Sequence, residues 1–340
     1  LDMAHQGMKA APLARPRRAA AARAARARDE LQGKTALITG ASRGLGYLVA
    51  RELGAAGCRL VLCARNADDL SRAAAHLRSR GVTVVTMACD VSDRRQAEDF
   101  VQLACNEAGP PDILVNNASV VRVGPLSAMT TADFEESLGV VYWGTVYTTL
   151  AALGHMRERR TGHIVNIASL GGKLAIPHLL PYTCAKFAMV GFSEGLRAEV
   201  AEDGIRVTTV LPGLLRTGSH LRAAYKGDPA REFAWFAAGS SLPLGSMSAE
   251  KAARRIVAAM TRGRSQIVLP APAIMGIWLQ DLFPGTMATA LRLASRLLPQ
   301  DAGAAAAEGL AAQEQARSRL LRWATRLNDE AARRFNQLGG

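Results

Sequence analysis

The strongest constraint in this chain is a rhythm that begins at Lys34, in which short apolar runs alternate with longer amphipathic stretches. The runs span 35–39, 59–63, 83–88, 113–115, 163–168 and 206–211, several carry β-branched residues, and none alternates polar with apolar positions. A strand with one wet face would alternate, so these read as strands covered on both faces. Between them, 45–56, 67–80, 94–108, 132–157 and 181–202 keep helical spacing. Strand, helix, strand at this interval implies βαβ units, and right-handed crossovers place helices on both faces. The expected fold is therefore α/β, a single doubly wound parallel sheet.

Composition narrows the functional classes. With 49% hydrophobic residues, the chain is not disordered as a whole. Its net charge of +13 raises nucleic acid or an anionic membrane as partners. However, residues 1–28 hold seven of the 42 basic residues and one of the 29 acidic ones, leaving 35 against 28 elsewhere. The folded part is only mildly basic, and no nucleic-acid partner is expected. Five cysteines (Cys58, Cys63, Cys89, Cys105, Cys184) form no CxxC pair, and three lie in or beside apolar runs. They read as buried reduced thiols in a cytoplasmic setting. No window reaches the roughly 18 apolar residues of a membrane span. The best candidate, 267–298, is broken by Pro270, Pro272, Asp281, Pro284 and Arg292.

Three regions follow. Residues 1–30, biased to Ala, Arg and Pro, read as a disordered basic tail; a transit peptide is the alternative, weakened by the lack of Ser. Residues 31–270 form the α/β domain, with a helix at 249–261 and a last strand at 266–269. Within it, 214–246 looks like a helical insertion without strands, whose Phe233, Trp235 and Phe236 read equally as pocket lining or as core. Residues 271–340 read as a C-terminal extension of Pro-interrupted amphipathic helices, expected to cover an apolar surface or partner, a membrane face among the candidates.

The chemistry starts where the first run meets Thr39-Gly40-Ala41-Ser42-Arg43-Gly44-Leu45-Gly46 and a helix opens. Glycines at such a turn let backbone approach a pyrophosphate, which the helix N-terminus stabilises. Alone, the octapeptide also reads as a tight turn without a ligand; on the first strand of a βαβ series it points to dinucleotide binding. NAD enzymes place an acid at the end of the second strand, about 20 residues on. Here Ala64 stands there, followed by Arg65, no acid competes, and Arg43 projects from the loop toward the same region. Either arginine alone reads as a solvated charge; two together suit a 2′-phosphate and favour NADP(H).

Downstream come Ser169, ending a strand, and Tyr182-Thr183-Cys184-Ala185-Lys186. Tyr182 and Lys186, four apart on a helix, share one face. A nearby ammonium lowers a tyrosine pKa from about 10 toward neutrality, which equips Tyr182 as general acid for a carbonyl oxygen. Ser169 can donate to the same oxygen.

With TGASRGLG at 39–46, Asn116-Asn117-Ala118, Ser169, YTCAK at 182–186 and Pro212-Gly213 after a strand, the chain resembles the short-chain dehydrogenase/reductase family over about 31–268. The resemblance implies one Rossmann domain with about seven strands, often paired into homo-oligomers. It implies hydride transfer between NADP(H) and a small carbonyl or alcohol substrate, with Ser169, Tyr182 and Lys186 catalytic. The implied cofactor residues are Gly40, Ser42, Arg43, Gly44, Leu45, Gly46, Arg65, Asp90 at the adenine, Asn116 lining the cleft, Tyr182, Lys186, Pro212, Gly213 and Thr217. No metal is implied.

Two departures stand out. Asn116-Asn117-Ala118-Ser119 replaces the usual NNAG, and Val141-Tyr142-Trp143-Gly144 occupies the N-x-x-G pattern whose asparagine supports a proton relay. Valine offers no hydrogen bond, so a weakened or inactive NADP-binding protein is the second reading. Gly191-Phe192-Ser193-Glu194-Gly195 matches a hydrolase elbow but sits inside a helix, where that motif cannot work. His155, His163 and His178 lack metal-ligand spacing, and Cys184 reads as filler more than as a reactive thiol.

Overall fold

The computed structural model describes residues 29–241, 246–300, 304–316 and 319–337. The basic stretch expected as a tail lies outside them up to Arg28. Seven parallel strands form one sheet: β1 (Thr35–Thr39), β2 (Arg59–Ala64), β3 (Val84–Ala88), β4 (Ile113–Asn116), β5 (Gly162–Ile167), β6 (Ile205–Pro212) and β7 (Gln266–Leu269). Their spatial order is β7-β6-β5-β4-β1-β2-β3. Each expected strand is present to within one residue at either end. Period-two geometry sends neighbouring side chains to opposite faces: Leu37 joins a cluster with Phe100, Leu153 and Met156, whereas Ile38 joins one with Leu48, Leu53 and Ile256. Both faces are therefore dry, which is why the runs lacked polar alternation.

The helices are α1 (Gly44–Ala55), α2 (Ala67–Arg78), α3 (Arg94–Glu107), α4 (Thr131–Leu138), α5 (Gly144–Glu158), α6 (Leu180–Glu199), α7 (Pro229–Ser241) and α8 (Ala249–Thr261). Side-chain caps fix several starts: Asn66 accepts from the Asp69 N–H at 2.8 Å and Asp93 from that of Gln96 at 3.1 Å. The single helix expected over 132–157 is instead α4 and α5 joined by a π-helical turn at Gly139–Trp143. A Cβ on Gly144 would meet Val91 Cγ2 at 2.7 Å, so the residue after the turn must be small. Hydrophobic spacing cannot register the extra residue of a π turn.

The strand-free insertion expected at 214–246 is corrected. Leu214–Arg216 pairs with Ser246–Ser248, and Ala224–Gly227 pairs with Arg122–Val123. The C-terminal extension is not wholly helical either: Ala304–Glu308 adds an antiparallel strand to Ala224–Gly227. These pairings join distant segments, so no local pattern announces them. Tyr225, Phe233, Phe236, Ala312 and Ala332 bury together beneath this small sheet. The remaining helices are α9 (Ile274–Leu282), α10 (Pro284–Arg296), α11 (Gly309–Gln315) and α12 (Arg319–Arg334). On α9, α10 and their joint, Met275, Trp278, Leu279, Leu282, Phe283 and Leu293 stay exposed. Among the described residues no helix is long and apolar enough to cross a membrane.

Candidate active site

Strand order reverses between β1 and β4, and a crevice opens at the carboxyl ends of such strands. A cleft of about 1090 Å³ lies there, lined by residues from the glycine loop to Pro270, Pro272 and Gln337. Gly40 and Gly44 hold φ of +62° and +58°, which side-chain-bearing residues rarely adopt. A Cβ on Gly46 would meet Gly40 O at 2.4 Å, so this third glycine serves packing and does not line the cleft. Helix α1 begins at the loop with no side-chain cap and no acid in its first turn. The Gly44 N–H donates to Phe335 O at 2.9 Å, and the rest of that positive end is left for an anion. Gly40, Ser42, Gly44, Leu45, Asp90, Pro212, Gly213 and Thr217 all line the cleft. Asp90 also receives hydrogen bonds from Ser92 N at 3.0 Å and Ser92 Oγ at 2.7 Å.

Asn116 departs from expectation. Its carboxamide donates to Thr149 Oγ1 at 3.0 Å and Asn166 Oδ1 at 2.9 Å, and accepts from Thr148 Oγ1 at 2.7 Å, a buried network at the carboxyl ends of the central strands β4 and β5. Asn117 lines the cleft instead, its Nδ2 donating to Thr39 O and Gly40 O at 3.0 Å each. The last residue of a buried strand turns its side chain inward, and the next one emerges.

Arg43 and Arg65 both line the cleft. The expectation that no acid competes holds at Ala64 but not in space. Asp69, from the first turn of α2, binds Arg43 Nη1 at 2.8 Å and also pairs with Arg72, and Glu136 lies 3.8 Å from Arg65. Burial lowers the Arg43 pKa, with Arg222 adding repulsion and Asp69 opposing it. Arg222 also lines the cleft, a position that no motif spacing announced.

At the other end, Ser169, Tyr182 and Lys186 converge. A Cβ on Gly171 would lie 3.3 Å from Tyr182 Cε1 and 3.4 Å from Ser169 Oγ, so both side chains border this glycine. Lys186 Nζ, 5.6 Å from the Tyr182 ring centre, donates to Ile167 O at 2.7 Å. The expected lowering of the tyrosine is corrected: burial pushes the Tyr182 phenol above its usual value, and a hydrogen bond from Ser169 only partly opposes this. Burial also brings the ammonium of Lys186 down to about 7. Desolvation penalises both charged forms, and it outweighs the attraction expected from the spacing.

Val141 is fully buried among Ala168, Ala185, Met189, Val190, Leu211 and Ile277, in the π turn. Its carbonyl accepts from Thr145 Oγ1 at 2.7 Å. Leu170, Leu174, Ile176, Leu179 and Leu214 make the reacting end apolar. Phe236 joins them, whereas Phe233 packs as core and Trp235 Nε1 donates to Glu232 at 2.6 Å. Cys184 is exposed and lies away from the cleft. The hydrolase-like Ser193 is buried, bonded to Thr209 Oγ1 at 2.7 Å and receiving a bond from Asn166.

Comparison with known proteins agrees with this geometry. The short chain dehydrogenase profile matches residues 34–225. A dehydrogenase/reductase SDR family protein 7-like of Anopheles gambiae is 38% identical over 261 residues, 75% of this chain and 80% of that protein. The L-sorbose reductase of Gluconobacter frateurii, solved with NADPH and L-sorbose, superposes with a TM-score of 0.63 at 26% identity, covering 70% of this chain and 95% of that one. A metagenomic short-chain oxidoreductase solved with NADP gives 0.52 at 34% identity, over 54% and 82%. The profile covers more than half of the chain, and the Anopheles relative is well over 30% identical across most of its own length: the chain belongs to the short-chain dehydrogenase family.

Proposed function

We propose that this protein is an NADP(H)-dependent oxidoreductase that reduces a small apolar ketone or aldehyde to an alcohol. The observation that carries the reading is the cleft itself, with the glycine loop and Arg43 and Arg65 at one end and Ser169 and Tyr182 at the other. The glycines, the start of α1 without a side-chain cap and the guanidiniums fit a phosphorylated dinucleotide. When bound, the reduced nicotinamide supplies the hydride. The protein's own part is proton management. Tyr182, protonated at neutral pH and held so by burial, donates its phenolic proton to the carbonyl oxygen, while Ser169 donates a second hydrogen bond to that oxygen. Lys186, with its pKa near 7, can return a proton to the phenolate at physiological pH.

Several finer readings belong to the same proposal. Residues 31–270 act as the catalytic unit and 271–340 as an extension that covers it. A cytoplasmic setting is supported by Cys58, Cys63 and Cys89, which are buried and unpaired. Exposed Trp143, Leu150 and Phe187 support a homo-oligomer. The decisive measurement is NADPH oxidation against a panel of ketones and aldehydes, paired with Tyr182→Phe. Turnover that the variant loses while it still binds NADPH supports the reading. The buried, amide-free Val141 favours a second one: an unaltered chain that binds NADPH yet turns over nothing is a non-catalytic binder.

A further inference from the structure

The cleft has a third wall that no motif assigns. Beyond α12 the chain runs back onto the glycine loop: Gly44 N–H donates to Phe335 O at 2.9 Å, and Asn336 Nδ2 donates to Ser42 O and Asp69 O at 2.8 and 2.9 Å. Gln337 follows, 3% exposed, with its Oε1 buried and without a partner. A Cβ on Gly44 would meet its Nε2 at 2.8 Å and Thr217 Cβ at 3.8 Å, which sets Gln337 beside the start of α1. The carbonyl of Gln337 in turn accepts from Nε of Arg222 at 2.8 Å.

We propose that Arg222 is a phosphate-binding residue of the cofactor cleft, presented by the strap Phe335–Gln337; this rests on the NADP(H) reading above. Four guanidiniums line the cleft, those of Arg43, Arg65, Arg122 and Arg222. Arg43 is matched by Asp69 at 2.8 Å, and Glu136 serves both Arg122 and, at 3.8 Å, Arg65, whereas among the described residues Arg222 meets only a neutral carbonyl. A guanidinium without a carboxylate partner, beside Arg43 and near the positive end of a helix, is a repulsive arrangement that a phosphate relieves. The bond to Gln337 uses Nε and leaves the two terminal nitrogens, which can engage phosphate oxygens. The repulsion Arg222 exerts on Arg43 agrees with this closeness. Both the diphosphate and the 2′-phosphate carry this chemistry. Asn336 is a positioning residue: it ties the strap to the loop.

The test is fluorescence titration of the full chain with NADPH and with NADH. Arg222→Ala is expected to weaken binding by roughly ten- to hundredfold, the value of a charge-assisted hydrogen bond. Loss for both cofactors assigns the diphosphate, and loss for NADPH alone assigns the 2′-phosphate. Asn336→Ala should weaken binding several-fold in the unaltered chain and add nothing in the Arg222→Ala background, a non-additivity that general loosening does not produce. Where the alanine variant does not fold, Arg222→Gln keeps a donor toward Gln337 and removes the charge. Binding of both cofactors by Arg222→Ala within twofold of the parent overturns the proposal. Tighter binding by Asn336→Ala also overturns it, since the strap is then a plug. An unaltered chain that binds neither cofactor defeats the NADP(H) reading itself.

Discussion

Lys186 offers a perturbation whose sign and size follow from its surroundings. Its amine is 2% exposed and has Ile167 O as its polar partner at 2.7 Å. Burial takes its pKa from 10.5 to about 7. Between those values the unfolded chain binds a proton that the folded chain does not, so stability rises with pH across the window and is flat on either side. The cost is present in full below about pH 7 and gone above about 10.5. At about 1.36 kcal/mol per pH unit, it reaches on the order of 4–5 kcal/mol at the acid end. Lys186→Met removes that cost but leaves Ile167 O without its donor, a loss of about 1–3 kcal/mol. The variant should therefore be the more stable protein at pH 6.5 by about 2–3 kcal/mol, several degrees in Tm. It should be the less stable one near pH 10.5, and inactive throughout. Scanning fluorimetry of both proteins from pH 6 to 10.5 at fixed ionic strength reads the crossing directly. A stability difference that does not change with pH would refute the claim that burial sets this pKa.

Three further outcomes are expected. Arg65→Ala should weaken NADPH by roughly tenfold or more and leave NADH nearly unchanged, with Arg43→Ala milder because Asp69 already neutralises that guanidinium; equal losses for both cofactors in a titration would contradict the 2′-phosphate role. Val141→Asn buries an amide in an apolar cluster, at about 1–3 kcal/mol of stability; kcat across pH, measured alongside Tm, should show a gain at high pH if the asparagine restores a relay, and a lower Tm with no gain anywhere would remove that role. Full-length protein should co-sediment with anionic vesicles through the exposed face of α9 and α10, where Arg292 and Arg296 supply charge; Trp278→Ser with Leu282→Ser should abolish this, and sedimentation unchanged by the pair would exclude that face.

What was legible in the sequence was what is local. Strands buried on both faces announce themselves as unbroken apolar runs, so β1 to β7 were readable almost to the residue. The glycine loop, Ser169 and the Tyr182–Lys186 pair were readable because each is a short segment with a fixed job. Properties that depend on what packs nearby were not. Asn117 takes the cleft place expected for Asn116 because the strand end turns one residue later. Asp69 and Glu136 reach the arginines from other elements. The sign of the Tyr182 shift follows from desolvation, which no spacing encodes. Arg222 owes its place to residues more than a hundred positions downstream.

The small sheet that joins Arg122–Val123, Ala224–Gly227 and Ala304–Glu308 has a consequence for biogenesis. During synthesis the seven-stranded sheet has all its strands once β7 emerges, while Ala224–Gly227 still waits for its antiparallel neighbour. Until 304–308 arrives, the nascent chain carries an unpaired edge beside the apolar Tyr225 and Phe233, a template for the wrong partner. A chain stopped after Leu269 should accordingly precipitate, and chaperones should engage the ribosome-bound protein for as long as that late strand is missing.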